Sequence, residues 1–308
     1  MSNLIEVKHV SRYFGNYCAV NDLSFNLTKG QVLGFLGVNG SGKTTTMQML
    51  TGNLALSQGQ ITINGFDIQQ QPRLAKRSLG YLPDTPPLYQ DLNVSEFLTY
   101  CAQLHAIPKH DIPRAIDLVL QRCELKQVSK RLIANLSKGF QQRIGIAQAI
   151  IHNPAVIILD EPTVGLDPIQ IREIRHLIKE LGADHSIILS THILNEVQEV
   201  CSDVLIIREG NVLIKESLEN LTQSVTKKSL LVKTNKTVEQ RILLSISGIY
   251  SLDLLPNNNL KIDYDPNQDC SQKIAETIIL NGWELVEMTP IKTSLEDLFI
   301  AYSENSAQ

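Results

Sequence analysis

The apolar residues of this chain follow two periods, and the period changes from segment to segment. Leu4, Ile5 and Val7, then Leu23, Phe25 and Leu27, alternate with polar neighbours and predict strands over 4–8 and 20–33. Val32 to Leu36 is a short apolar run ending at a glycine-rich turn. After Lys43 the stretch TTTMQMLTG predicts a short helix ending at Gly52. Gln60 to Ile63 predicts a small strand closed by Asn64-Gly65, a strong turn pair. Over 94–127 the spacing turns helical, with Val94, Phe97, Leu98 and Cys101 on one face, then Ile116, Val119, Leu120 and Cys123.

Further on, residues 155–159 (AVIIL) form a continuous apolar run, the pattern of a strand buried on both faces of a parallel sheet. Asp167-Pro168 predicts a helix start, with Asp as cap and Pro in the first turn. Ile171, Ile174, Leu177, Ile178 and Leu181 make its buried stripe, and Gly182 ends it. Ser186 to Ser190 predicts another buried strand. Alternating strands and helices indicate an α/β domain. The pattern changes near residue 221. Thr222 to Lys228 is polar; beyond it, strands are expected over 229–234, 259–264 and 283–288, and helices over Cys270 to Leu280 and Leu295 to Tyr302. A main domain over 1–224 followed by a small α+β domain over 225–308 is the expected division.

Composition narrows the function. A length of 308 residues leaves room for a large and a small domain, and 43% hydrophobic with 19% charged residues suits a globular chain. A net charge of −4, with the 28 Lys and Arg dispersed, argues against a nucleic-acid partner. The five cysteines include no C-x-x-C pair, against a disulfide framework or a zinc site. The start, MSNLIEVKHV, carries no secretory pattern, and the longest aliphatic runs are strand-sized. A bilayer-spanning helix needs about 20 apolar residues, so the chain is not expected to cross a membrane by itself.

The chemistry begins at Gly37-Val38-Asn39-Gly40-Ser41-Gly42-Lys43-Thr44, which matches G-x-x-x-x-G-K-[ST]. Glycines let successive backbone N–H groups turn inward around a phosphate, and the following helix offers its positive end to the same charge. Lys43 is placed to reach the β- and γ-phosphates, Thr44 to offer its hydroxyl to Mg²⁺, and Thr45 is a further candidate nucleotide-binding residue. Downstream, Ile157-Ile158-Leu159-Asp160-Glu161 puts two carboxylates at the carboxyl end of a buried strand, where ligands of open α/β sheets bind. Asp160 is the candidate Mg²⁺ holder and Glu161 the candidate general base for an attacking water.

More segments fall in an order that resembles the ATP-binding cassette (ABC) ATPase family. Leu136-Ser137-Lys138-Gly139-Phe140-Gln141-Gln142 is similar to the family signature LSGGQ, with Lys138 and Phe140 as departures. Gly165-Leu166-Asp167 looks like the loop after the acidic strand, and Ser190-Thr191-His192 like the switch-histidine segment. Tyr81-Leu82-Pro83-Asp84 stands where the family usually has a glutamine. The resemblance spans about 4–220. It implies an α/β P-loop NTPase domain with an α-helical subdomain over about 85–145, binding ATP and Mg²⁺. It further implies two copies paired head to tail, with Ser137 and Gly139 of one contacting the γ-phosphate held by the other. His192 would contact that phosphate and hold the water–Glu161 geometry, and Asp167 would bridge the subunits. Phe14, with Tyr13 as the alternative, stands where the family stacks an aromatic ring on adenine. Asp84 is a further candidate metal ligand.

The LSKGFQQR form, YLPD-TPPLY, and STHIL followed by Glu196 resemble the export-type ABC-2 subfamily. Members of it often end in a segment like Ser294-Leu295-Glu296-Asp297-Leu298-Phe299. The resemblance implies an ATPase powering export through a separate integral membrane permease, held peripherally at the cytoplasmic face of the inner membrane. The helical region at 85–130 would dock on that permease. A ribosome-acting relative would carry two cassettes, and a chromosome-structuring one would place a long coiled coil between phosphate loop and signature. Only residues 45–135 intervene here, without sustained heptads.

Overall fold

In a computed structural model of the chain, the described residues are 3–223, 228–256, 258–265, 268 and 270–291. They fall into two compact units, Met1–Leu218 and Glu219–Gln308, dividing ahead of the polar stretch at 222–228. The first unit runs β1 (Asn3–Phe14), β2 (Tyr17–Thr28), β3 (Val32–Leu36), α1 (Lys43–Leu50), β4 (Gln58–Ile63), β5 (Phe66–Asp67), α2 (Pro72–Arg77) and β6 (Leu79–Leu82). It continues through α3 (Val94–Leu104), α4 (Ile112–Arg122), α5 (Lys138–Ile150), β7 (Val156–Asp160), α6 (Pro168–Gly182), β8 (Ser186–Thr191), α7 (Leu194–Val200), β9 (Asp203–Arg208) and β10 (Asn211–Ser217).

The central sheet has six strands in the order β10-β9-β3-β8-β7-β6. Its neighbours are parallel except for the β9–β10 hairpin. Every residue of β3, β7 and β8 is buried, as their continuous apolar runs require. Successive side chains serve opposite cores. Leu33, Phe35, Ile158 and Ile188 pack with Met47 and Leu50 of α1 and with the second, four-stranded sheet β2-β1-β4-β5. Val32, Ile157, Leu159, Ile187 and Leu189 pack instead with α5 and α6. The register places Leu36 beside Thr191 and Asp160 beside Ser190, so β3, β7 and β8 end together at one edge. The segments that leave this edge carry the phosphate loop, Glu161 and His192.

Several elements differ from those expected. The strand expected over 20–33 is two, because the chain turns at Gly30 with φ 78 between β2 and β3. The helical stretch at 94–127 is two α-helices and a short 3₁₀ turn, because the chain turns at Ala106 with φ 55 and Pro108 follows. β6, β9 and β10 are additional strands; a positive-φ pair, Glu209-Gly210, closes the β9–β10 hairpin. Of the α6 stripe, Ile174, Leu177, Ile178 and Leu181 are buried, and Ile171 only half so. Asn93 and Glu96 cap α3 reciprocally, each side chain accepting from the other's backbone N–H at 2.9 Å.

Two histidines meet in this unit. The rings of His105 and His152 stack 3.7 Å apart and 6° from parallel. His152 Nε2 donates to the Leu79 carbonyl at 3.1 Å, which leaves Nδ1 buried without a partner among the described residues. Burial, with the neighbouring His105 adding, pushes the His152 imidazole down to about 4; burial lowers His105 and His185 as well. The unfolded chain therefore takes up these protons first, and stability is lost as pH falls below the ordinary histidine range. We expect the thermal midpoint to drop between about pH 7.5 and about pH 5, and to drop less in His152→Gln. An equal drop in the variant would place the acid sensitivity elsewhere.

The helix α8 (Leu218–Gln223) spans the division. The second unit then holds β11 (Lys228–Thr234), α9 (Gln240–Leu244), β12 (Ile249–Leu255), β13 (Asn259–Tyr264), α10 (Ser271–Leu280) and β14 (Leu285–Ile291). Its strands form an antiparallel sheet in the order β12-β13-β11-β14. Leu230, Val232, Leu260 and Ile262 pack against Leu243, Ile274 and Ile278 of the two helices. β12 and α9 are elements the sequence reading did not find, and β14 starts at Leu285, after Glu284 turns the chain at φ 56. The helix expected at Leu295 to Tyr302 and the segment Ser294 to Phe299 lie outside the described residues. Among the described residues no helix is long and apolar enough to cross a membrane.

Candidate functional site

The loop from β3 to α1 is shaped by its glycines. Gly42 sits at φ 103, and a Cβ there would meet the Ala19 carbonyl oxygen at 2.6 Å. At Gly37 a Cβ would meet the Ser41 hydroxyl at 2.4 Å and the Ile207 carbonyl oxygen at 2.5 Å. Only glycine allows the loop to lie this close to β2 and β9. Lys43 is 5% exposed and reaches back over its own loop. Its ammonium donates to the Gly37 carbonyl at 2.8 Å and the Val38 carbonyl at 3.3 Å, and stands 3.5 Å from a Glu161 carboxylate oxygen.

Glu161 follows β7 in the left-handed region at φ 49, a conformation that costs a non-glycine residue on the order of 1 kcal/mol. Its backbone N–H donates to the Ser190 carbonyl at 2.9 Å. Its side chain is 11% exposed, and its second carboxylate oxygen lies 2.9 Å from Nδ1 of His192, which is 43% exposed. The preceding Asp160 is fully buried; the Ser190 hydroxyl faces it, but neither carboxylate oxygen makes a well-formed hydrogen bond with a described residue. Burial raises the Asp160 carboxyl above its ordinary range; the charges of Glu161 and Asp84 add to this, while the Ser190 hydroxyl and Lys43 oppose it. Tyr81, at the end of β6, is pushed up to about 12 by burial and then by Asp160 and Asp84.

One cavity of about 300 Å³ gathers these parts. Asn39, Gly40, Gly42, Lys43, Thr44, Asp84, Glu161, Val164 and His192 line it. Gly37, Val38, Ser41 and Thr45 shape the loop without lining that space. Ser41 is buried, and Val38 points outward. Val164 is a lining residue that sequence reasoning missed, since nothing in its type distinguishes it from a core valine. Phe14 and Tyr13 lie at the β1–β2 hairpin tip and do not line the cavity. Phe14 is 47% exposed rather than a core residue, and the Arg12 guanidinium stands 4.6 Å over its ring.

Ser137 and Gly139 stand elsewhere. Ser137 precedes α5 as its N-cap, exposed and without a side-chain capping bond. Together with Gly139, Phe140, Arg143 and Gln170 it lines a second cavity, of about 150 Å³. A Cβ on Gly139 would meet the Gln170 side chain at 2.7 Å, so α5 packs closely on α6 there. Arg143 is buried and pairs with Glu124 at 2.6 Å and Glu173 at 2.9 Å, tying the segment after α4 to α6 beneath the Ser137 turn. The Lys138 ammonium lies over Gly165. Asp167 caps α6, accepting from the Ile169 and Gln170 N–H groups at 3.0 and 2.9 Å.

Comparison with known proteins finds relatives over most of the chain. The ABC transporter family model matches residues 20–164. The chain is 33% identical to the bacitracin transport ATP-binding protein BcrA of Bacillus licheniformis over 304 residues, 97% of each chain. It is 38% identical to the ABC transporter ATP-binding protein NatA of Bacillus subtilis over 208 residues, 67% of this chain and 85% of that one. Among solved structures, cbiO1 from Clostridium perfringens, part of the ABC transporter complex cbiONQ, superposes with a TM-score of 0.67 at 27% identity. That match covers 73% of this chain and 92% of the other.

Proposed function

We propose a two-copy catalytic cycle for this chain, which belongs to the ABC transporter family and is an ATP-binding, ATP-hydrolysing subunit. The observation that carries the proposal is the separation of the two cavities. The cavity at Lys43 lacks Ser137 and Gly139, and these two line a different cavity of the same chain. A hydroxyl and a glycine N–H at a helix start suit an anion, so a second copy placed head to tail supplies them to the nucleotide of the first.

Within one copy, the loop N–H groups and Lys43 hold the phosphates. Glu161 accepts the proton of the attacking water as oxygen adds to the γ-phosphorus and the bond to the β-phosphate oxygen breaks. His192, already hydrogen-bonded to Glu161, fixes that carboxylate and faces the γ-phosphate. Phe14, or Tyr13 beside it, offers its exposed ring to adenine.

The site suits Mg²⁺. Asp160 is buried, faced by the Ser190 hydroxyl but with no well-formed hydrogen bond to either oxygen from a described residue, and Thr44 and Asp84 line the adjoining cavity. Among the described residues no three His, Cys, Asp or Glu side chains cluster to hold a metal by themselves. A cation held by Asp160 and Thr44, with Asp84 at its edge, would share its coordination with the nucleotide's phosphates and supply neutralisation of their charge.

The partner we propose is a separate membrane permease, with this chain at its cytoplasmic face and export as the direction. Support comes from exposed apolar residues on the helical segment, Tyr89, Tyr100, Leu104 and Leu118, which suit a protein partner. The match over nearly its whole length to a bacitracin transport ATP-binding protein supports a transport role of that kind. We propose 1–224 as the catalytic domain and 225–308 as an accessory one.

The test is turnover of Mg·ATP by the purified chain across a range of protein concentrations. Activity per molecule is expected to rise with concentration and to vanish in EDTA. A rate per molecule independent of concentration would remove the two-copy site, and failure to bind nucleotide would remove the whole reading.

A further inference from the structure

Glu196 is a charged residue that the chemistry above does not use. It lies on α7 and is 1% exposed. A buried carboxylate is costly unless it is paired and hydrogen-bonded, and this one is both. The Thr163 hydroxyl donates to one of its oxygens. The Thr191 hydroxyl donates to the other at 2.8 Å. Arg175 of α6 stands 3.5 Å from the first oxygen and pairs with Glu199 at 3.0 Å.

The two threonines are placed where they matter. Thr163 is two residues after Glu161, in the turn where Val164 N–H donates to the Glu161 carbonyl at 3.3 Å. Thr191 directly precedes His192, and its hydroxyl also accepts from Ile193 N–H at 3.1 Å. Its carbonyl accepts from Gly37 N–H at 3.4 Å, at the entrance to the phosphate loop. A closed ring results. It runs from Glu161 along the chain to Thr163, across Glu196 to Thr191, along the chain to His192, and back by the 2.9 Å contact to Glu161.

We propose that Glu196 is a positioning residue for hydrolysis. It fixes the two segments that carry Glu161 and His192 so that their mutual hydrogen bond is already set when nucleotide enters. The inference rests on the reading of Glu161 and His192 given above. Physically, two chain segments leaving different strands would otherwise adjust independently. A single buried carboxylate, held by Arg175 in a low-dielectric interior where hydrogen bonds are strong, couples them. Nucleotide affinity, by contrast, rests on the loop at 37–44, which Glu196 does not touch.

Turnover kinetics test this directly. Glu196→Ala is expected to lower kcat about ten-fold while KM for ATP stays within about two-fold, the mark of an interaction used in the transition state. Since removing one member of a buried ion pair can unfold a protein, Thr191→Val is measured beside it, with Thr191→Ser as the rescue. Thr191→Val is expected to lose kcat by a similar factor and Thr191→Ser to keep it, because only the hydroxyl link differs. The proposal is overturned if Thr191→Val keeps kcat within about two-fold of wild type, if serine and valine lose it equally, or if KM rises in step with the loss. Glu161→Gln is run in the same series: normal turnover there would overturn the underlying reading of the base, whereas a dead Glu161→Gln with an active Thr191→Val overturns the role of Glu196 alone.

Discussion

Glu161→Gln is expected to cut ATP turnover by two orders of magnitude or more, the span that a positioned general base contributes, roughly 10²–10⁴-fold. The substitution keeps the side chain's shape and its contact to His192 Nδ1, found at 2.9 Å. It removes the basicity, and with it the charge that faces Lys43 at 3.5 Å. Lys43 remains anchored to the Gly37 carbonyl at 2.8 Å, so the loop and its phosphate site persist. Nucleotide binding should therefore survive. With binding intact and hydrolysis stopped, the nucleotide-held pair should accumulate, and size-exclusion chromatography in ATP and Mg²⁺ should show the variant running as a dimer. Hydrolysis at the wild-type rate by a monomeric variant would strip Glu161 of the base role.

Much of this site could be read from the amino-acid sequence because its parts are local. Gly37 to Thr44 forms a loop by its own glycines, and Asp160-Glu161 ends a strand whose apolar run declares its burial. What brings these two segments together is non-local. Residues 36 and 191, and residues 160 and 190, become neighbours only through strand register, which no short window encodes. The same holds for Glu196. A lone glutamate carries no sign of burial in the sequence, and it becomes a buried brace only when Thr163, Thr191 and Arg175 arrive from other elements.

Two of the missed strands lie at sheet edges. β6 spans Leu79–Leu82 and is paired on one side only, to β7, at the sheet's edge. Its short run gives little period to count. β12, an edge strand of the second unit, carries Ser251 opposite Asp263 and Asp253 opposite Lys261 of β13. Ser251 bonds Asp263 at 2.9 Å, so polar residues there are satisfied across the sheet rather than marking a loop.

Asp160→Asn is expected to have two effects of opposite sign. The wild-type carboxylate is fully buried at the end of β7, with no well-formed hydrogen bond from a described residue to either oxygen, and burial raises it above the ordinary carboxylate range. A charge held this way disfavours the nucleotide-free fold. Asparagine keeps the shape and removes the charge, so the thermal midpoint without nucleotide should rise by a few degrees, given about 2–4 °C per kcal/mol for a domain of this size. Turnover should instead fall about a hundred-fold, on the order of 3 kcal/mol, since the variant lacks the anionic oxygen that would share a divalent cation with the phosphates. The gain in thermal midpoint on adding Mg·ATP should be smaller than in wild type. Scanning fluorimetry with and without Mg·ATP, beside the turnover assay, checks both. A variant less stable than wild type in the absence of nucleotide would mean that Asp160 serves the fold, and the metal role would then lose its physical basis.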